Sequence, residues 1–183
     1  MTMGTVREPL CVKLICAVTF REETDIPRIR GDLENLFGPV EDQSPVFDFT
    51  FTRYYEGEMG AGLKKVFYSF TEPVKPEDLA GMKIHTQAAE AAWSEGGKRR
   101  VNLDPGYITG GKLVLASTKD FSHRIYLGRG IYGDVQLRFV RGRFLVSEWT
   151  YPDYQTDLAM AFFKKVRKHF VQQEKKYEQI YSL

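Results

Sequence analysis

Hydrophobic and polar positions divide this chain into a first half that alternates strand and helix patterns and a second half of short strands. Residues 11–20, CVKLICAVTF, are apolar on both faces, the pattern of a central, buried strand. A helix is predicted next, with Thr24 or Asp25 as N-cap, Pro27 in the first turn and Gly38-Pro39 as the stop. Ile26, Ile29, Leu33, Leu36 and Phe37 form its apolar stripe. The run 46–55, VFDFTFTRYY, places Phe47, Phe49 and Phe51 on one face and Asp48, Thr50, Thr52 and Tyr54 on the other, which predicts a half-buried strand. Residues 64–71, KKVFYSFT, read as the strand that returns after a glycine-containing loop. A second helix is expected from about Pro76-Glu77-Asp78, with Leu79, Met82, Thr86, Ala89 and Trp93 as its stripe and Gly96-Gly97 at its end. RRVNL then reads as a strand.

This order over about 11–104 is the split βαβ, or ferredoxin-like, pattern βαββαβ. From Lys112 onward short strands are expected at 112–117, 123–127, 131–140 and 143–151, with a tight hairpin at Arg141-Gly142 and a longer one at Gly128-Arg129-Gly130. The apolar run within 112–126 is short enough to be read as partly helical too. From about 156 to 181 the spacing predicts a long amphipathic helix with Ala159, Phe163, Val166, Phe170, Tyr177 and Ile180 on its buried side. No repeat, low-complexity tract or linker interrupts the sequence. The expectation is one α+β domain over 1–183: a ferredoxin-like first half, an antiparallel β-meander over about 112–151, and a closing C-terminal helix. Such an architecture serves many unrelated functions and names none of them.

Composition sharpens the fold more than the function. Aromatic residues make up 14% of the chain, which favours a β-rich body with a filled interior. Lys and Arg number 26 against 24 Asp and Glu, a formal charge of +2 that lacks the strong basicity of most nucleic-acid-binding domains. Cys11 and Cys16 lie an odd number of residues apart on one predicted strand, so they point to opposite faces and cannot bridge. Two buried thiols in a reducing compartment are expected. With no apolar run of signal-peptide or membrane-spanning length, a cytoplasmic location is expected as well.

Polar groups gather in three segments at predicted strand ends: 102–107 (NLDPGY), 117–124 (STKDFSHR) and 149–154 (WTYPDY). Asn102 and Asp104 are two apart and share a face, with Tyr107 close behind. Pro105-Gly106 fits the centre of a type II turn, and Asp104 holding that turn is the simpler account of its presence. Because Pro105 and Gly106 can supply a turn without both side chains, Asn102 and Asp104 are nonetheless expected to form the lip of a site, orienting a ligand or holding a metal. In the second segment Lys119 and Arg124 would neutralise an anion, Asp120 adds a carboxylate, and His123 is the best acid–base candidate, with Asp104 as a second. A solvated turn would share this composition. His85 and His169 fall on predicted helices with few charged groups of chemical interest nearby. In the third segment Tyr151 and Tyr154 would wall a planar ligand beside Asp153, which could equally cap the following helix.

Several metal and nucleotide signatures are missing. HxxxH and CxxC spacings are absent, although Glu56, Glu58 and Asp104 could together hold a hard divalent metal. TKD at 118–120 looks like the guanine-reading element of GTPases without its spacer, but no GxxxxGK[ST] loop exists to hold phosphates. GRGIYG at 128–133 has the form GxGxxG but lies between two strands and opens no helix. The basic stripe of the last predicted helix, Lys164, Arg167, Lys168 and Lys175, is interrupted by Glu174 and Glu178 and reads as a solvated face.

YYEGEMG, VNLDPGY, KLVLASTKDFSHRIYLG and WTYPDY together resemble the shared segments of an uncharacterised prokaryotic family of domain-of-unknown-function type, whose members are often labelled "GTP-binding protein". The resemblance covers nearly the whole chain and implies no established activity. The reading of the residues is therefore a small-molecule site for a phosphorylated or nucleotide-like ligand, built from the three polar segments. An RNA-binding module on a ferredoxin-like sheet is a second reading. A third is a non-catalytic interaction protein in which these residues form a buried polar network.

Overall fold

The computed structural model describes residues 5, 6 and 8–181, with side chains described through Lys175. Tyr177 and Ile180, expected on the buried side of the last helix, lie outside the described side chains. The chain forms a mixed α+β fold around a nine-stranded sheet.

The doubly apolar run becomes β1 (Val12–Arg21), which pairs antiparallel with β4 (Leu63–Val74) on one side and β7 (Val101–Ile108) on the other. Its alternate side chains feed two cores. Leu14, Cys16, Val18 and Phe20 pack with Ile29, Leu33 and Phe37 of α1 (Ile26–Phe37) and with Met82 and Ala89 of α3 (Leu79–Ala92). Ile15 and Ala17 pack against Ala159, Phe163 and Val166 of α4 (Asp157–Tyr181) on the opposite face. Asp25 caps α1 by accepting a hydrogen bond from the Arg28 amide at 3.2 Å, and Gly38 ends it at φ 81°.

Beyond β4 lies β2 (Val40–Gln43), an edge strand that the hydrophobic pattern did not announce. β3 (Phe47–Asp48) also pairs with β4. The alternation over 46–55 does not produce a strand of that length. The pairing ends with the Phe49 N–H donating to the Leu63 carbonyl at 2.8 Å, and the Phe49 side chain joins a small satellite cluster with Met59 and Leu63, topped by Tyr55, while Phe51 is exposed. The short helix α2 (Glu56–Met59) closes this loop. After α3 come the two-residue strands β5 (Ser94–Glu95) and β6 (Lys98–Arg99), which pair with each other and lead into β7.

The second half is antiparallel, as expected. β8 (Lys112–Ser117) is strand throughout rather than helix, and β9 (Arg124–Gly128), β10 (Ile131–Val140) and β11 (Arg143–Val146) follow. Arg141 and Gly142 form the tight hairpin with φ of 49° and 84°. The last strand ends at Val146, and the segment to Tyr151 is irregular. The path across the sheet is β11-β10-β8-β7-β1-β4-β2, with β9 on β10. Cys16 is buried but Cys11, just outside β1, is exposed, so only one of the two thiols is interior. Among the described residues no helix is long and apolar enough to cross a membrane.

Candidate functional site

The site begins with a break in the sheet. β7 and β8 pair only from Gly106 to Ile108, opposite Leu115 to Leu113, and towards Val101 the two strands separate. Pro105-Gly106 is therefore not a turn: β7 runs straight through it. A Cβ at Gly106 would lie 2.4 Å from the Val114 carbonyl oxygen and 2.6 Å from Leu115, so glycine is what lets the strands meet there. Pro105 tolerates a mid-sheet position for a complementary reason. Leu103 turns its N–H and carbonyl away from β1, and two residues on, Pro105 turns its ring nitrogen the same way, towards the opening where no strand needs a donor.

Side chains of α3 replace the missing strand. Glu90 Oε1 accepts the Leu103 N–H at 2.7 Å, and Lys83 Nζ donates to the Leu103 carbonyl at 2.7 Å. Lys83 and Glu90 are seven residues apart, two helical turns, which sets both over the same strand. They belong to the buried face of α3, where Leu79, Met82 and Thr86 had predicted only an apolar stripe.

From this edge a continuous ionic network lines a cavity of about 530 Å³. Lys83 Nζ donates to Asp104 Oδ1 at 3.0 Å, and Asn102 Nδ2 donates to Asp104 Oδ2 at 2.7 Å. Arg99 reaches Asn102 Oδ1 at 3.1 Å and Glu90 Oε2 at 2.8 Å through Nη1. Its Nε and Nη2 clasp both oxygens of Glu58 at 2.6 and 2.7 Å. Burial disfavours charge on Asp104, but the Lys83 and Lys65 ammoniums and the two hydrogen bonds hold its carboxyl below the ordinary value of 3.8. Burial likewise opposes the Lys83 cation, yet Asp104 and Glu90 outweigh it and raise its pKa above 10.5. The Arg99 clasp holds the Glu58 carboxyl below its usual range.

The walls are aromatic. Tyr54, Tyr55 and Tyr151 face the cavity, and Lys119 Nζ rests 3.8 Å from the Tyr54 ring centre. Burial pushes the Tyr151 hydroxyl up to about 12 and raises Tyr55 as well, so both act as neutral hydroxyls at physiological pH. Three cations, Lys83, Arg99 and Lys119, face three carboxylates, Glu58, Glu90 and Asp104. Lys83 and Arg99 are tied to those acids, while Lys119 leans on a ring and can be drawn away by an anion.

The structure brings together Asn102, Asp104, Lys119 and Tyr151 from the three selected segments, joined by Glu58. Arg124 lies behind the wall. Its Nη2 donates to the Tyr151 hydroxyl at 2.9 Å, its Nη1 to Ser117 Oγ at 2.6 Å and to the Lys119 carbonyl at 2.9 Å, and its Nε to Asp134 at 2.8 Å. It positions the wall without lining the cavity. His123 is outside: its ring stacks on Trp149 at 5.0 Å in a separate hollow with Ser122 and Glu148. Tyr107 packs between Val114 and α3, Asp120 sits beside the Tyr132 hydroxyl, and Asp153 is buried in an ion pair with Lys65 at 2.6 Å. Tyr154 is fully buried in the core under α4 and cannot wall a ligand. Glu56 is exposed, and the oxygens of Glu56, Glu58 and Asp104 do not converge.

Residues 11–170 match the family described as Domain of unknown function (DUF4416). The chain belongs to that family. No curated protein and no solved structure matches it. Within the family's span fall all of the cavity's lining residues, including Lys83, Glu90 and Arg99, which the polar segments alone did not single out. Their signal was present: two charged residues seven apart on the apolar face of an amphipathic helix need buried partners.

Proposed function

We propose that the cleft between β7 and β8 binds a small phosphorylated or nucleotide-like ligand. The observation that carries this reading is the meeting of Asn102, Asp104, Lys119 and Tyr151 with Tyr54 and Tyr55 around one cavity of about 530 Å³, a size suited to a small ligand. A planar group would lie among the tyrosines, its donor edge bonded to Asp104 and its acceptor edge to Asn102. The anionic end would take Lys119 from the Tyr54 ring. Arg124 and Lys83 would act as positioning residues. The reading is one of binding, and His123, outside the cavity, has no part in it.

The strand order β7-β1-β4-β2, all antiparallel with α1 and α3 on one face, supports a ferredoxin-like description of the first half. In this chain α4 covers the other face, which favours a cleft ligand over RNA stacked on an open sheet. GTP belongs among the test ligands because of the label borne by the family the sequence resembles, although no phosphate loop is present.

The test is a thermal-shift panel of nucleoside mono-, di- and triphosphates and sugar phosphates, followed by calorimetry on the best compound. A ligand at a hundred times its dissociation constant should add about 2.7 kcal/mol. Lys119→Ala and Asp104→Asn should each weaken binding at least tenfold while leaving a folded chain. A panel that stabilises nothing, or variants that bind as tightly as the parent, would end the proposal.

A further inference from the structure

A second cluster lies on the other side of the sheet, where β2 meets α4. Val40 pairs with Phe70 and Asp42 with Ser69, so one residue, Glu41, is bulged out of the register. In a regular strand Glu41 and Asp42 would point to opposite faces. The bulge turns both towards α4, a use to which bulges beside functional sites are often put. There His169 Nδ1 lies 3.1 Å from Glu41 Oε2 and 3.1 Å from Asp42 Oδ2. The three ligand atoms fall within 4.8 Å of one another.

Two carboxylate oxygens converge on one ring nitrogen. Lys13 holds Glu41 from beneath, at 2.9 to 3.0 Å, and Lys165 holds Oδ1 of Asp42. Asp42 Oδ2 is different. It is buried, its side chain is only 10% exposed, and the oxygen accepts no hydrogen bond while facing into the cluster. We propose that Glu41, Asp42 and His169 form a binding site for a first-row divalent cation, of which Zn²⁺ is the probe. The geometry suits it. With metal–ligand distances of roughly 2.1 Å, each of the two imidazole–carboxylate pairs, 3.1 Å apart, subtends an angle of roughly 95° at the metal, between octahedral and tetrahedral values, and the two carboxylate oxygens, within 4.8 Å of one another, complete the set by small side-chain rotations. One imidazole with two carboxylates is a donor set for zinc or manganese rather than for soft, thiolate-seeking ions. Lys165 is 59% exposed and free to swing aside as the metal neutralises Asp42. The site would pin the last helix to the sheet edge, on the face away from the β7–β8 cleft, and it stands independently of that cleft's ligand.

The test uses the full chain carrying Cys11→Ser, which removes the exposed thiol, stripped with EDTA and titrated with Zn²⁺ by calorimetry and thermal melting. One equivalent should bind, and the melting temperature should rise by roughly 5–10 °C at a hundredfold excess over the dissociation constant. His169→Gln and Asp42→Asn should each abolish most of that rise, while His85→Gln, on another helix, keeps it. If Zn²⁺ leaves the parent unchanged, the proposal falls. It falls equally if His169→Gln and Asp42→Asn bind Zn²⁺ as the parent does.

Discussion

Arg124 and Tyr151 are joined through the wall of the cleft: the guanidinium donates to the phenol at 2.9 Å while Asp134 holds its other edge at 2.8 Å. The contact links β9 to the irregular segment after β11, so the Tyr151 hydroxyl is held from behind while the residue lines the cavity. A charge expected to meet a ligand's anion serves instead to hold an aromatic wall in place. Both Arg124 and Asp134 are almost wholly enclosed, which makes the guanidinium a structural cation.

Removing the two partners should therefore have unequal effects. Arg124→Met leaves Asp134 buried without its counter-ion and should cost about 3 kcal/mol, at the low end for a broken buried pair. Tyr151→Phe deletes one of several bonds to Arg124 and should cost about 1 kcal/mol, with a clearer effect on ligand affinity. Urea unfolding of both variants checks this, and equal losses would mean that Arg124 is not held chiefly by Asp134.

Lys83 occupies a similar place at the strand edge. Lys83→Met strips the Leu103 carbonyl of its donor and removes the ammonium that lies between Asp104 and Glu90, leaving Asn102 on Asp104 and Arg99 on Glu90. A loss of about 3 kcal/mol is expected. In the double variant with Asp104→Asn the two losses should add to less than their sum, since Lys83→Met does little further harm once Asp104 is neutral. Strict additivity in denaturant melts would show that the pair does not act as a unit.

How much of this was legible follows from which forces act locally. The apolar run of β1, the Asp25 cap, the Arg141-Gly142 hairpin and the stripe of α4 are set by neighbouring residues, and the pattern shows them. Asn102 and Asp104 share a face because a strand alternates, so their common aim was readable too. Pro105-Gly106 misled, because the same dipeptide suits a turn and a strand that must pass close to β8, and only the partner strand decides. The Phe alternation after Asp48 misled because a satellite core with Met59 and Leu63 competes for Phe49. His169 looked idle on its helix since Glu41 and Asp42 lie 128 and 127 positions earlier in the sequence, and a bulge is what turns both towards it.

The close meeting of β7 and β8 gives a sharp expectation. Gly106→Ala forces a methyl group against the Val114 carbonyl, which is backbone and cannot rotate away. The strands must part by some tenths of an ångström at the closed end of the cleft. A loss of roughly 2–3 kcal/mol is expected, typical of an overpacked interior. Amide exchange should rise at the β7–β8 pairs while the β1–β4 pairs keep their protection. Unchanged stability would mean that the strands do not meet closely at Gly106.

The acid side of the stability curve reports on Asp104. Its folded carboxyl titrates below 3.8 because Lys83, Lys65 and Asn102 favour the charged form against burial. A group whose pKa is lowered on folding adds stability above its unfolded value and loses it as pH falls through the folded one. Asp104→Asn has no such proton to gain. The variant should therefore be less stable than the parent at pH 7, and the gap should narrow steadily once pH drops below about 4. Glu58 and other carboxylates titrate in both proteins, so the difference between the two curves isolates the contribution of Asp104. Urea melts at half-unit steps from pH 7 to 2.5 would measure it. A gap that stays constant over that range would show that Asp104 is not held as a carboxylate by Lys83, and the network lining the cleft would then have to be redrawn with a proton on Asp104.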